Sequence, residues 1–290
     1  ENLYRQRSET IKKSMIEKLY DRENGKFYDS MNSAGVVNEH SALHSSAYAL
    51  AYGVYDSPEM AKRLAEFVGN NGEFKGSIYA TYFILRGLFQ SGNGEEAISL
   101  LTNPDTTKDA KTFAAVMDTL KATISPEAWS NKHKSNLTLS HPWGASPGCS
   151  IVQGMFGILP TTPGFETFNI TFQPGGIDSA SVKTPSIRGE IQASYQNGDT
   201  DDMTASVTIP VNTTAKVSMP VNNKSYGKLI VDGKTVDATR EGKFLSVQLG
   251  SGTHSIAIST EEVPSVPVVY VSAYVPGGNS IDLNETDKYV

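Results

Sequence analysis

The sequence predicts a multidomain α+β chain, with helical hairpins first and an antiparallel β-sandwich after them. Two observations carry this prediction. Apolar residues recur at three- and four-residue steps over residues 1–155, the spacing of a buried helical face, and alternate with period two from Phe165 onward, the spacing of half-buried strands. Turn chemistry changes at the same place, near Pro160. A chain of 290 residues is also long enough for about two ordinary domains, each with its own core. The expected divisions are 1–160 for the helical part, 161–259 for the sandwich and 260–290 for a tail or edge strand.

Leu3, Tyr4, Ile11, Met15, Leu19 and Tyr20 mark one face of a first helix. Asn24-Gly25 reads as a turn and residues 26–29 as a short extended piece. A second helix fits 41–55. Asp56-Ser57-Pro58-Glu59 is a restart signal, a capping residue followed by Pro near the first helical position. That helix runs to about Val68 and ends at Gly69-Asn70-Asn71-Gly72. Further helices fit 77–91, closed by Gly92-Asn93-Gly94, and then 95–101 and 146–156. A helix over 109–120 would place Phe113, Val116, Met117 and Leu120 on one face. Short loops between successive helices imply antiparallel neighbours.

In the second part, alternation predicts strands over 168–172, 187–195, 204–209, 215–219, 228–231, 244–249 and 254–258. Asn197-Gly198 and Asp232-Gly233 are hairpin-turn dipeptides. Short strands at this spacing read as an antiparallel sandwich. Residues 260–290 carry Pro264, Pro267 and Pro276-Gly277-Gly278, with a possible edge strand at 268–274.

Composition narrows the function classes. Hydrophobic residues make up 38% and charged residues 19%, which places the chain among globular proteins. A formal net charge of -6, with no Lys/Arg cluster interleaved with aromatics, argues against a nucleic-acid groove. One cysteine, Cys149, excludes a disulfide framework and a Cys-rich zinc site. No run approaches the roughly 18 apolar residues of a membrane span. No signal-peptide pattern opens the chain. Its first residues already read as helix, so the natural beginning is expected upstream and localisation stays open.

His40 and His44 lie four apart, a metal-ligand spacing, but no third ligand is close, and the reading preferred is a surface or barrel-lining pair. His133 lies among lysines and reads as solvated, and His254 as structural within a strand. Cys149 reads as a small buried hydrophobe, since no basic partner is visible. The glycosylation patterns at Asn136, Asn169 and Asn212 arise readily by chance in a Ser/Thr-rich chain. No metal and no organic cofactor is expected.

Ser140-His141-Pro142-Trp143-Gly144-Ala145-Ser146-Pro147 is followed by Gly157-Ile158-Leu159-Pro160 and by Pro163-Gly164-Phe165. Phe172-Gln173-Pro174-Gly175-Gly176 and Thr184-Pro185-Ser186-Ile187-Arg188-Gly189 come next. This succession resembles the segment that joins catalytic barrel to C-terminal sandwich in the inverting α-L-rhamnosidase family of glycoside hydrolases. The resemblance covers most of residues 1–258. It implies a partial six-hairpin (α/α) barrel, its later helices present here, followed by the sandwich.

It also implies an enzyme that releases terminal α-L-rhamnose from a glycan or glycoside. Inversion needs one carboxyl group to protonate the leaving oxygen and another to deprotonate a water on the far face of the sugar. The family's general base aligns with Glu127 in Ser125-Pro126-Glu127-Ala128-Trp129, where Pro126 stands in place of the usual Trp. The resemblance makes His141 a substrate contact, and Trp129 and Trp143, the chain's only tryptophans, fall in the same loop. An indole face stacks on the C–H face of a sugar. Tyr79 and Tyr82 are weaker candidates. Against these stand structural readings: Glu127 as a first-turn helix carboxylate after Pro126, His141 as a capping or core residue, and the tryptophans as core.

The family's acid lies in an Asp-Pro-x-Arg-Asp-Glu type run, and this chain has none. The acid is therefore expected from an N-terminal remainder of the same polypeptide. A glycosidase of other sugar specificity and a non-catalytic carbohydrate-binding fragment remain as alternatives. An acidic motif upstream would favour the enzyme.

Overall fold

A computed structural model describes residues 2–69 and 72–260. Helix α1 (Asn2–Leu19) buries only Ile16, and Leu3, Tyr4 and Ile11 of the expected apolar face are exposed. Two small hairpins follow, β1 (Tyr20–Asp21) with β2 (Lys26–Phe27) and β3 (Ser30–Met31) with β4 (Val37–Asn38). Asp21 holds the first turn by accepting from the Glu23 and Asn24 amides and the Tyr28 hydroxyl.

Helix α2 (Leu43–Ala51) is shorter than expected, because the chain turns through a left-handed Gly53. Helix α3 (Pro58–Gly69) starts where the restart signal places it, with Ser57 Oγ accepting from the Met60 amide. A 3-10 turn (Ile78–Ala80) leads into α4 (Thr81–Gln90), and α5 (Gly94–Leu101) follows. Helix α6 (Phe113–Asp118) has six residues instead of the twelve expected over 109–120. Asp109 and Lys121 both adopt positive φ, which no helix interior accepts. Met117 does not share the buried face of Val116 but is 60% exposed. Helix α7 (Ser146–Ser150) continues as a π-helical turn (Ile151–Met155).

Helix α4 is the centre of this part. Ile84, Leu85 and Leu88 are fully buried. Gly87 lets α2 approach so closely that a β-carbon there would lie 2.8 Å from Leu50 Cβ.

The sandwich begins with β5 (Leu159–Pro160) and β6 (Thr167–Thr171). It continues through β7 (Ser179–Ser186), β8 (Gly189–Gln196), β9 (Thr204–Ile209), β10 (Thr214–Pro220) and β11 (Lys228–Val231). Strands β12 (Lys234–Asp237), β13 (Thr239–Glu241), β14 (Phe244–Leu249) and β15 (Gly252–Ile258) complete it. One sheet has the order β13-β14-β10-β6-β5 and the other β12-β11-β15-β9-β8-β7. Among the described residues β6 and β10 run parallel, so the sandwich is not wholly antiparallel.

The strand expected over 187–195 is instead the turn and second arm of a hairpin, with Ser186 opposite Gly189 and Ile187 exposed at its tip. Its first arm, β7, escaped the alternation test because it is a polar edge strand, which also tolerates Pro185. Asp232-Gly233 forms the expected two-residue hairpin, both residues at positive φ, between Val231 and Lys234. The tail and edge strand expected over 260–290 lie, from residue 261 on, outside the described residues. No helix among the described residues is long and apolar enough to cross a membrane.

Helices and sheets meet at a sewn joint. The Thr171 amide donates to the Phe156 carbonyl at 2.9 Å and the Gln173 amide to the Met155 carbonyl at 2.8 Å. The Gln173 side-chain amide donates to the carbonyls of Phe89, in α4, and Gly154. Phe156, Phe172 and Tyr195 pack together across the joint, with centroids 5.6–6.0 Å apart. Gly157 sits in the left-handed region, and a β-carbon there would lie 2.7 Å from Thr171. Gly157→Ala therefore combines positive-φ strain with a backbone clash and should cost about 2–4 kcal/mol. Urea unfolding measures it, and an unchanged midpoint would show that the joint is not set by this glycine.

Candidate functional site

Residues 122–140 contain no helix or strand, yet the loop is closed on itself. The Glu127 amide donates to the Thr138 carbonyl at 2.9 Å, and the His141 amide donates to the Ser125 carbonyl at 2.8 Å. Residues 125–127 are thus clasped against 138–141. Pro126 starts no helix, so the first-turn reading of Glu127 fails. Its ring and carbonyl lie on Gly144, where a β-carbon would be 2.6 Å from the Pro126 oxygen. Only glycine admits this approach.

The clasp fixes Glu127. Its Oε2 accepts from the Thr138 amide at 3.2 Å, and Lys134 Nζ lies 3.4 Å from Oε1. The side chain is 19% exposed. The Thr138 amide, and after it Lys134 and His141, hold the carboxyl below the ordinary glutamate range.

His141 caps the 3-10 turn Pro142–Ala145, its Nδ1 accepting from the Trp143 amide at 3.3 Å. A neutral ring with Nδ1 as acceptor carries its proton on Nε2, which is then a donor. Trp143 is 48% exposed, with its ring 4.6 Å from His141 and 4.8 Å from Tyr79. Tyr79 continues through Phe83 to Tyr48 and Tyr52, so the face is aromatic along α2 and α4.

The structure separates the two tryptophans. Trp129 is 2% exposed, stacked on Phe74 at 5.6 Å and edge-on to Phe113, and its Nε1 donates to the Gly76 carbonyl at 2.9 Å. It anchors the loop from behind. Tyr82 lines a separate cleft with Arg86, Cys149 and Gln153.

His40 and His44 do not share a helical face. His40 precedes α2 and meets Asp29 Oδ2 at 2.5 Å, whereas His44 is half-buried within the helix. His133 is exposed beside Ser130, and His254 pairs with Asp232 at 2.8 Å on the sandwich. Burial pushes the Cys149 thiol up, away from reactivity. Among the described residues no group of three or more His, Cys, Asp or Glu side chains is placed to hold a metal.

Sequence reasoning missed Lys134 and Thr138, the groups that hold the Glu127 carboxylate, and the buried Thr81–Ser146 hydroxyl contact beneath the turn. Lys134 and Thr138 follow Glu127 closely and carry no mark of their own. Thr81 and Ser146 are 65 residues apart.

The family model described as "Bacterial alpha-L-rhamnosidase C-terminal domain" matches residues 157–231. No curated protein sequence matches the chain. Among solved structures, the α-L-rhamnosidase of Dictyoglumus thermophilum matches with a TM-score of 0.66 at 16% identity, over 88% of this chain and 28% of that one. The Streptomyces avermitilis α-L-rhamnosidase complexed with L-rhamnose gives 0.65 at 19% identity, over 88% and 24%. The Aspergillus terreus enzyme gives 0.62 at 18%, over 88% and 27%. The fold is shared, and the chain spans about a quarter of the length of each of these structures.

Because its folded pKa is depressed, Glu127 contributes stability that is complete above the ordinary glutamate value of about 4.3 and is lost as pH falls through the lower folded value. An NMR titration of the carboxyl carbon should place its midpoint below that of an unperturbed glutamate. Lys134→Ala should recover only part of the shift, since the Thr138 amide is the larger cause. A midpoint at or above about 4.3 would contradict the clasped geometry.

Proposed function

We propose that this chain, whose residues 157–231 carry the bacterial α-L-rhamnosidase C-terminal domain, is the C-terminal part of an α-L-rhamnosidase. The helices of residues 1–160 are then the later hairpins of an (α/α) barrel, and residues 161–259 its C-terminal sandwich. The substrate is a glycan or glycoside ending in α-L-rhamnose, hydrolysed by single displacement with inversion.

The observation that carries this reading is the clasp that brings Glu127 and His141 to one edge of an exposed aromatic face. Glu127 stays ionised under mild conditions, as a base must. It takes a proton from a water on the face of the sugar opposite the leaving group. His141 donates from Nε2 to a sugar hydroxyl, and Trp143 supplies an apolar face for the ring. Trp129 supports the loop and does not meet the sugar. The proton donor comes from a carboxylic acid outside these 290 residues, about 6.5–9.5 Å from Glu127 so that the water fits between them. No metal or cofactor takes part.

One observation favours a second reading. Both Glu127 oxygens already have partners, Thr138 and Lys134. A carbohydrate-binding role without catalysis needs no free carboxylate, and a glycosidase for another sugar would use the same face.

Glu127→Gln in the complete polypeptide separates these readings. On an aryl α-L-rhamnoside, turnover should fall about 10²–10⁴-fold while sugar binding persists. Azide, a nucleophile that needs no base, should restore part of the rate. Normal turnover by Glu127→Gln would move the base elsewhere. Turnover by residues 1–290 alone would contradict the missing acid.

A further inference from the structure

The hydroxyls of Thr81 and Ser146 meet at 2.5 Å in the interior, both residues buried. Their direction follows from proton count. Thr81 Oγ1 donates its single proton to the Ile78 carbonyl at 2.6 Å, so it can only accept from Ser146. The result is a one-way relay, Ser146 to Thr81 to Ile78. Ser146 opens α7 directly after the turn that carries Trp143, and Ile78 opens the turn that carries Tyr79. The relay therefore ties together the two turns whose aromatic rings face each other at 4.8 Å.

We propose that Thr81 and Ser146 are positioning residues that set the Trp143–Tyr79 wall, and through it the strength of sugar binding. The proposal rests on the rhamnosidase reading for its kinetic consequence, though not for its structural one. The Glu127 carboxylate is held by the Thr138 amide and Lys134, neither of which belongs to the relay. Loosening the wall should then weaken substrate and transition state alike, raising KM with kcat little changed.

The two variants differ in what they leave unpaired. Ser146→Ala leaves Thr81 still bonded to Ile78. Thr81→Val leaves the buried Ser146 hydroxyl without a partner, while the Ile78 carbonyl keeps the backbone amide of residue 81, and it is the harsher change.

In the complete polypeptide, Ser146→Ala should raise KM for an aryl α-L-rhamnoside about five- to tenfold, with kcat within about twofold. Thr81→Val should raise it further, Thr81→Ser should restore it, and the double variant should be no worse than Thr81→Val alone. Trp143 emission, isolated by subtracting the spectrum of Trp143→Phe, should shift in Ser146→Ala and return to normal in Thr81→Ser. Unchanged KM and emission in folded Ser146→Ala, additive effects in the double variant, or a loss confined to kcat would each overturn the proposal. If the complete polypeptide hydrolyses no rhamnoside, the functional reading fails and the emission shift alone decides the positioning role. If Thr81→Val does not fold, Ser146→Ala and Thr81→Ser carry the test.

Discussion

Helix α4 is the element on which the rest hangs. Its buried face of Ile84, Leu85 and Leu88 fixes it in the core, and Gly87 lets α2 lie against it. Its C-terminal end presents the Phe89 carbonyl to Gln173, so the sandwich is bound to this helix through a side-chain amide. Its N-terminal residue, Thr81, receives the Ser146 hydroxyl, so the His141–Trp143 turn is bound to the same helix. A buried helix of ten residues thus places the candidate site at one end and the β-domain at the other. Burying polar groups at both ends is tolerable because most of them are paired. An unpaired one would cost about 1–3 kcal/mol.

The site obeys a division of labour that follows from burial. Trp129, sealed against Phe74, gives the loop its fixed point. The clasp between residues 125–127 and 138–141 converts that fixed point into a defined position for Glu127. Trp143 and Tyr79 remain exposed, their ring faces open to solvent. The Thr138 amide, and after it Lys134, keep the carboxylate charged, while Lys134 itself stays partly exposed. An ion pair at such a surface contributes little to stability and is readily exchanged for another partner.

Much of this was readable from sequence because the signals are local. Ser57-Pro58 starts α3, and Asp232-Gly233 needs only its own positive φ values to turn a hairpin. The junction motifs placed Glu127 and His141 in one loop, and the backbone clasp joins them. What failed depended on distant partners. Trp129 and Trp143 look alike in sequence, and only Phe74 and Gly76, more than fifty residues earlier, bury one of them. Spacing marks Leu3, Tyr4 and Ile11 as one face but does not say what covers it. Edge strand β7 alternates in burial, but only Ala180 and Val182 of its inward face are apolar, too few to mark it in the sequence. The 109–120 helix shrank because Asp109, bonded to Ser130 in the site loop, adopts a conformation that propensity does not encode.

The central claim is that the Glu127–His141 edge meets the sugar. Its most direct test is the position of L-rhamnose in a crystal structure of the complete polypeptide. The account predicts the ring against Trp143, a hydroxyl within about 3.2 Å of His141 Nε2, and a water between Glu127 and the anomeric carbon. Rhamnose bound on the sandwich, or in the helical part with Glu127 out of reach of that water, would contradict it.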